Sequence, residues 1–296
     1  MSAETITAGQ ADDIARNAET MPRSRREALD NVVIDDMDML GIALLAGPAN
    51  VIMQLAVPAV GYGVYESKVH SGNLFKNPTK RTRTTLTYLA VAAMGSPEVR
   101  KAYRQAVNKS HAYVRSSEAS PVKYNAFDPK LQLWVAACLY RGWEDMQRIY
   151  GDPAKITEEA YQQGAVMGTT LQMPRDMWPA TRADFEEYWQ STLAEVEIDD
   201  TIRAHLMAII QLDFTYKPIR LLGRWYSETM TIGFLPPEFQ QKMRVSQTPA
   251  QRRFFAAHNA IARQLIKILP KPLREFPFNL LLADLDWRRR TGRPLV

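Results

Sequence analysis

Residues 77–115 read NPTKRTRTTLTYLAVAAMGSPEVRKAYRQAVNKSHAYVR, and their helix-capping residues, prolines and glycine predict two consecutive helices. The Asn-Pro pair at 77–78 combines a capping residue with proline at the first helical position, and Gly95 ends the segment. The Ser-Pro pair at 96–97 then begins a second helix, which we expect to run to about Arg115. Helices therefore dominate the stretch that decides the fold.

Similar helix start and stop residues recur along the rest of the chain. Further helices are predicted over residues 129–151, 157–167, 181–196, 201–211, 248–269 and 272–290, the last of them interrupted at Pro277. Alternating β-branched runs between tight turns are missing from the sequence, so strands are not expected. The fold class is therefore all-α, with about eight to ten helices in a single domain over residues 31–296, after a flexible arm over residues 1–30.

Composition excludes several classes of protein and site. The 296 residues are 46% hydrophobic and 23% charged, which suits one globular domain with a sizeable core. The single cysteine, Cys138, rules out a disulfide scaffold and cysteine-based zinc or iron–sulfur sites. Nucleotide-binding and hydrolase motifs are absent from the sequence. The basic residues are spread out, so no nucleic-acid partner is expected.

An uncharged stretch over residues 40–65 is long enough to span a bilayer. It contains four glycines and two prolines, and its flanks are acidic rather than basic. We favour a buried core segment, with a re-entrant segment or a true span as the alternatives. The N-terminus has no apolar core typical of a secretory signal, so we expect a cytoplasmic protein, with contact to the inner face of the membrane as an option.

One histidine continues the apolar stripe of the second helix. Apolar residues at positions 99, 102, 103, 106 and 107 follow helical spacing, and His111 is the next member of that stripe. A core histidine bonded to a backbone carbonyl fits this pattern. So does a metal or haem ligand, because a neutral imidazole facing an apolar cavity suits a haem iron.

Polar side chains interrupt the apolar face of the first helix. Arg81, Thr85 and Tyr88 recur at i, i+4 and i+7. A buried arginine needs an anion, and a haem propionate is a carboxylate that suits the guanidinium fork. The alternative is a solvated arginine, or one paired with an acid such as Glu66, which directly follows the apolar stretch.

Taken in order, these motifs resemble the MpaB-like oxygenase family, the rubber-oxygenase superfamily that includes latex-clearing proteins. The shared pattern is an arginine and a threonine four residues apart, a helix ending in glycine, and a histidine ahead of a Val-Arg pair. A Tyr-x-Ala-Phe-Asp-Pro segment at 124–129 follows, and Leu133 and Trp134 are adjacent here where the family has a Leu-x-Trp spacing. The segments QLAVPAVGYGVYES at 54–67 and MWPATRADFEEYW at 177–189 are similar too, and the resemblance runs from about Asp38 to about Gln211.

The resemblance implies a globin-like helical core that binds haem b. By this analogy His111 is the proximal iron ligand, and Arg81 and Thr85 match a distal or haem-edge pair. Tyr88 and Arg115 are expected as further contacts to the cofactor. Glu66 falls near the position of the family's proposed acid/base glutamate.

The implied activity is oxidative cleavage of an apolar alkene, isoprenoid-like or lipid-like, with dioxygen. Val57 stands where many relatives have a histidine, and Thr84 stands where latex-clearing proteins have a lysine, so rubber is not the expected substrate. The alternatives are a non-catalytic haem-binding sensor or carrier, and a haem-free helical module at a membrane surface. His205 and His258 remain options for a sixth iron ligand. The oligomeric state is not readable from the sequence.

Overall fold

A computed structural model describes residues 7–18, 37–69 and 72–296 of the chain. The all-α prediction is confirmed: over these ranges the regular structure is helical, and the backbone pairing of Arg115 with Asn125 is an isolated bridge rather than a strand. Three short 3₁₀ segments accompany the α-helices, over Gly41–Ala46, Pro153–Lys155 and Arg175–Met177.

The α-helices have the following bounds in chain order: α1 Ala8–Ala18, α2 Gly47–Leu55, α3 Pro58–Tyr65, α4 Pro78–Met94, α5 Pro97–His111, α6 Pro129–Ile149, α7 Glu158–Gly164, α8 Val166–Thr169, α9 Arg182–Glu195, α10 Asp200–Ile210, α11 Lys217–Phe234, α12 Pro237–Met243, α13 Pro249–Ile268, α14 Lys271–Arg274 and α15 Phe278–Arg290.

Local capping chemistry explains where the predicted helices begin. The Ser96 hydroxyl accepts a hydrogen bond from the Val99 amide at the start of α5. Thr181 and Asp184 form the reciprocal capping box expected at the start of α9. These bonds satisfy amide groups that the helices themselves leave unpaired, so the capping residues set where these two helices begin.

The described residues form more helices than the eight to ten expected. None of the predicted helices covers α11 or α12. The predicted helix over 157–167 is divided at Ala165 into α7 and α8. Helix α5 ends at His111, four residues before the expected end, so His111 occupies a helix terminus facing the following loop.

The long helix α6 passes through the main core. Its buried side chains include Trp134 and Tyr140, and the Tyr140 ring contacts Trp143, Trp178 and other aromatic rings at centroid distances of 5.2–5.8 Å. Aromatic pairs of this kind add to the stabilisation given by burial of apolar area. This aromatic cluster therefore contributes to the stability of the main core.

The uncharged stretch over residues 40–65 folds as a bent segment within the core. Ile52, Met53 and Leu55 are buried, and the chain bends by 111° between the segment ending at Leu55 and α3. In the ranges that the structure covers, no single helix is long and apolar enough to cross a membrane, although this bent pair passes that test by length and composition. A Cβ at Gly61 would lie 2.6 Å from the Leu55 carbonyl oxygen, so the bend requires glycine there.

Part of the predicted N-terminal arm is helical. Ala11 of α1 is buried in one small apolar cluster with Ala112, just after α5. Ile14 and Phe127 pack against this cluster. Residues 1–6 and 19–30 of the predicted arm lie outside the described residues.

Candidate functional site

A cavity of about 300 Å³ lies among α2–α6 and the loop after α5. Its volume falls in the range of small-molecule pockets, about 300–1,000 Å³. Most of its walls are apolar, formed by side chains such as Leu55, Val60, Val64, Leu89, Val135 and Leu139. A few polar side chains converge on this apolar space, which is the usual composition of a ligand site.

Helix α4 supplies most of these polar groups. Arg81, Thr84, Thr85 and Tyr88 all line the cavity, because spacings of three and four residues place them on one face of the helix. The phenol of Tyr88 donates a hydrogen bond to the Met167 carbonyl. Tyr88 is thereby tied to the opposite wall.

His111 closes α5 and faces the same cavity. Its Nδ1 atom is buried and has no hydrogen-bond partner among the residues that the structure describes. Burial, together with the positive charge of Arg81, lowers the pKa of His111 from 6.5 to about 4. The imidazole is therefore neutral near pH 7, as a metal ligand must be.

This shifted titration predicts acid lability of the protein without cofactor. The unfolded imidazole binds a proton below about pH 6.5, whereas the folded one stays neutral down to about pH 4. Protonation therefore favours the unfolded state as the pH falls between these values. The His111 contribution to the free energy of unfolding should drop by about 2 kcal/mol from pH 7 to pH 5.

Urea unfolding of the parent and of His111→Leu at the two pH values measures this contribution. Leucine cannot titrate, so the parent should lose about 2 kcal/mol more than the variant. Equal losses in the two proteins would show that His111 is not held neutral.

Arg81 is the second unusual group. Burial lowers the pKa of its guanidinium, and no carboxylate of the described residues forms an ion pair with it. Its neighbour Arg83 differs, because Arg83 lies 3.9 Å from the Asp284 carboxylate outside the cavity. An enclosed guanidinium without an anion is costly, so this wall is suited to a ligand carboxylate.

Glu66 stands one side chain behind the cavity wall. Its Oε2 accepts hydrogen bonds from the Tyr124 phenol and the Ser120 hydroxyl, each at 2.7 Å. Tyr124 lines the cavity, whereas Glu66 does not. Burial, followed by the bond to Glu66, raises the pKa of Tyr124 to about 12. Tyr124 thus keeps its proton and presents it between Glu66 and the cavity.

The other predicted contacts are placed differently. Arg115 is exposed, lies outside the cavity lining and pairs through its backbone with Asn125 in the isolated bridge. His205 packs against the rings of Tyr65 and Phe75, and His258 bonds to the Tyr226 phenol. Neither histidine lines the cavity.

Sequence reasoning missed several members of the lining. Tyr103 lies on the apolar stripe of α5, and its phenol donates to the Thr84 carbonyl at 2.7 Å. Lys80, next to Arg81 on α4, also lines the cavity. Val296, near the C-terminal end of the described chain, contributes as well. For Tyr103 and Lys80 the signal was available, since both fall on helix faces that already carry a predicted site residue.

The residues present fit a haem better than a metal bound by the protein alone. Within the described ranges, no group of three or more His, Cys, Asp or Glu side chains could hold a metal ion. A haem iron needs only one or two protein ligands, because the macrocycle supplies the rest. The unpartnered Nδ1 shows that the His111 ring is not committed to another bond, and the unpaired Arg81 suits a propionate.

Comparison with known proteins covers most of the chain. The family model described as "ER-bound oxygenase mpaB/B'/Rubber oxygenase, catalytic domain" matches residues 36–264. Two uncharacterized mycobacterial proteins, Rv2237 of Mycobacterium tuberculosis and Mb2261 of Mycobacterium bovis, are each 46% identical over 255 residues. The match covers 86% of this chain and the whole of each relative. No solved structure gives a significant match.

The matched region runs from before α2 into α13 and contains the whole cavity wall except Val296. It includes the arginine, threonine and histidine whose order suggested the resemblance. The chain therefore belongs to the family of mpaB and rubber oxygenase catalytic domains, a family of oxygenases.

Proposed function

We propose that the protein is a haem b-dependent oxygenase that uses dioxygen to cleave an apolar alkene. One observation carries the proposal: one cavity joins a neutral histidine to a partly buried arginine, and in the described parts of the chain the histidine Nδ1 has no hydrogen-bond partner and the arginine has no carboxylate partner. Bound haem would supply the activation of dioxygen. The membership in an oxygenase family supports the same reading.

The residues of the chain would divide the work of binding. His111 would ligate the iron, because its imidazole is neutral and its position at the end of α5 is held by the helix. Arg81 would bind a propionate, since the buried guanidinium is enclosed and unpaired. Thr85 lies one turn further along α4, where its hydroxyl could orient the cofactor edge or the substrate.

The apolar walls define the substrate class. Side chains of α2, α3 and α6 provide no charged group to the cavity, so a hydrocarbon would be favoured over a polar substrate. Exclusion of water by these walls would also protect the reaction from competing proton transfer. An isoprenoid-like or lipid-like alkene of modest size fits this lining.

Glu66 and Tyr124 would hold the proton at the edge of the cavity. Tyr124 is the member of the pair that lines the cavity, and Glu66 fixes the orientation of its phenol through the 2.7 Å hydrogen bond. In this arrangement Glu66 acts through Tyr124. The pair could donate or accept a proton during turnover without exposing a carboxylate to the apolar cavity.

Replacing Tyr124 by phenylalanine tests this assignment. The variant should bind haem as the parent does, while oxygen uptake with a panel of isoprenoid alkenes should fall about 100-fold, as expected for loss of a proton-transfer group. Ser120→Ala is the matched control, because it removes the other hydrogen bond to Glu66 and leaves the phenol in place. Full activity of Tyr124→Phe would contradict the assigned role.

The same assay separates turnover from simple haem binding. Consumption of oxygen coupled to cleavage products supports the oxygenase. A haem-loaded parent that consumes no oxygen with any alkene would instead be a sensor or carrier.

We propose a cytoplasmic location at the inner face of the membrane, where an apolar substrate would partition.

A further inference from the structure

The structure exposes an unusual set of large apolar side chains on α11 and α13. Leu221 and Leu222 are 82% and 84% exposed, and Ile268 is 78% exposed. Scattered exposed leucines are normal, but a contiguous group of this kind marks an interaction surface. We name the apolar ridge by its members: Ile219, Leu221, Leu222 and Trp225 of α11, with Phe254, Ile261, Leu265 and Ile268 of α13.

The two halves of the ridge meet. The rings of Trp225 and Phe254 lie 4.9 Å apart between their centroids. On α13 the members Phe254, Ile261, Leu265 and Ile268 follow at i, i+7, i+11 and i+14, which places them on one stripe along the helix. The apolar stripe of α13 therefore faces away from the core, the reverse of an ordinary surface helix.

Charge is concentrated around the ridge. Residues 216–276 contain eleven Lys and Arg against three acidic residues, a net of +8. The whole chain carries +5, so the remaining residues carry −3. Arg253, Arg263 and Lys267 are exposed beside the stripe of α13, and none forms an ion pair with a carboxylate in the described parts of the chain.

This combination identifies the partner by its chemistry. We propose that the apolar ridge docks on a lipid bilayer that contains anionic headgroups. Exposed Leu, Ile, Trp and Phe side chains enter the boundary between headgroups and acyl chains, while the flanking cations contact the anionic headgroups. A second copy of this chain is disfavoured as the occupant, because the interface would bring together two segments that each carry an excess of positive charge.

The docking surface is distinct from the segment that first suggested membrane contact. The uncharged stretch over residues 40–65 is largely committed to the core, whereas the ridge lies on helices that follow it by more than 150 residues. The proposal goes beyond the oxygenase function and does not require bound haem. Its failure would leave the assignment of His111 and Arg81 untouched.

Cosedimentation of the full-length protein with vesicles tests the proposal. The vesicles are phosphatidylcholine alone, or phosphatidylcholine with about one third phosphatidylglycerol. The test variants are Ile261→Glu combined with Leu265→Glu, and Arg253→Glu combined with Arg263→Glu and Lys267→Glu. The matched control changes the exposed Lys101, Lys123 and Lys130 to Glu, which alters the net charge by the same amount elsewhere on the surface.

The parent should bind the anionic vesicles, and bind the neutral ones about tenfold more weakly or worse. The double variant of the ridge and the triple-charge variant beside it should each lose about tenfold in apparent affinity, while the lysine control keeps most of its binding. Circular dichroism verifies that the exposed substitutions leave the fold intact. Absence of parent binding, or equal losses in the triple-charge variant and the control, would overturn the proposal. So would a parent dimer that Ile261→Glu and Leu265→Glu convert to a monomer, since that outcome assigns the ridge to self-association.

Discussion

The variant His111→Ala is expected to lose high-affinity haem binding. Among the described residues, His111 is the only histidine that lines the cavity, and its Nδ1 has no hydrogen-bond partner there. Removing the side chain that would ligate the iron should weaken haem binding by at least about 100-fold, equivalent to about 2.7 kcal/mol. Titration of haemin into the purified proteins, followed by absorbance, measures the difference.

Two controls make this result specific to ligation. His205→Ala removes a histidine that packs against Tyr65 and Phe75 outside the cavity, so its haem affinity should equal that of the parent. Added imidazole should partly restore the parent spectrum in His111→Ala, because the free base can occupy the vacated space. Unchanged affinity in His111→Ala would show that the iron, if bound, has another ligand.

The variant Arg81→Leu should change two properties in opposite directions. Without cofactor, removing a buried guanidinium that has no carboxylate partner should raise the free energy of unfolding by about 1 kcal/mol. With cofactor, loss of the propionate partner should weaken haem binding by about tenfold or more. Both effects together are expected of a site residue whose unpaired charge destabilises the folded protein until its ligand binds.

Arg83→Leu is the matched control on the same helix. Arg83 is two residues away, and its guanidinium lies near Asp284 rather than in the cavity. We expect a small loss of stability and no change in haem affinity, since partly exposed ion pairs contribute about 1 kcal/mol or less. Stabilisation by Arg83→Leu, or destabilisation by Arg81→Leu, would contradict the contrast between paired and unpaired arginines.

Much of the fold could be predicted because its signals are local. The start of α4 follows from Pro78 and its end from Gly95, and the start of α5 follows from the Ser96 cap and Pro97. Helix α11 was missed because Tyr216 provides no side-chain cap, and because Leu221 and Leu222 face solvent rather than completing a core stripe. A helix prediction that looks for a buried apolar stripe fails where the apolar side chains of the helix face solvent.

The candidate site, too, could be predicted only where its signals are local in the sequence. Helical spacing predicted that Arg81, Thr85 and Tyr88 share a face, and the structure places that face opposite His111 in one cavity. The contact between Glu66 and Tyr124 joins residues 58 positions apart. No local pattern in one sequence encodes such a pairing, so the sequence indicated Glu66 only through its family resemblance.

The most direct test of the central claim is a titration of haemin into the purified full-length parent, followed by absorbance before and after reduction with dithionite. We predict a Soret band that saturates at one equivalent of haemin and shifts on reduction, as expected for a histidine-ligated haem in an apolar cavity. A spectrum that remains the sum of free haemin and protein at every ratio would contradict the account.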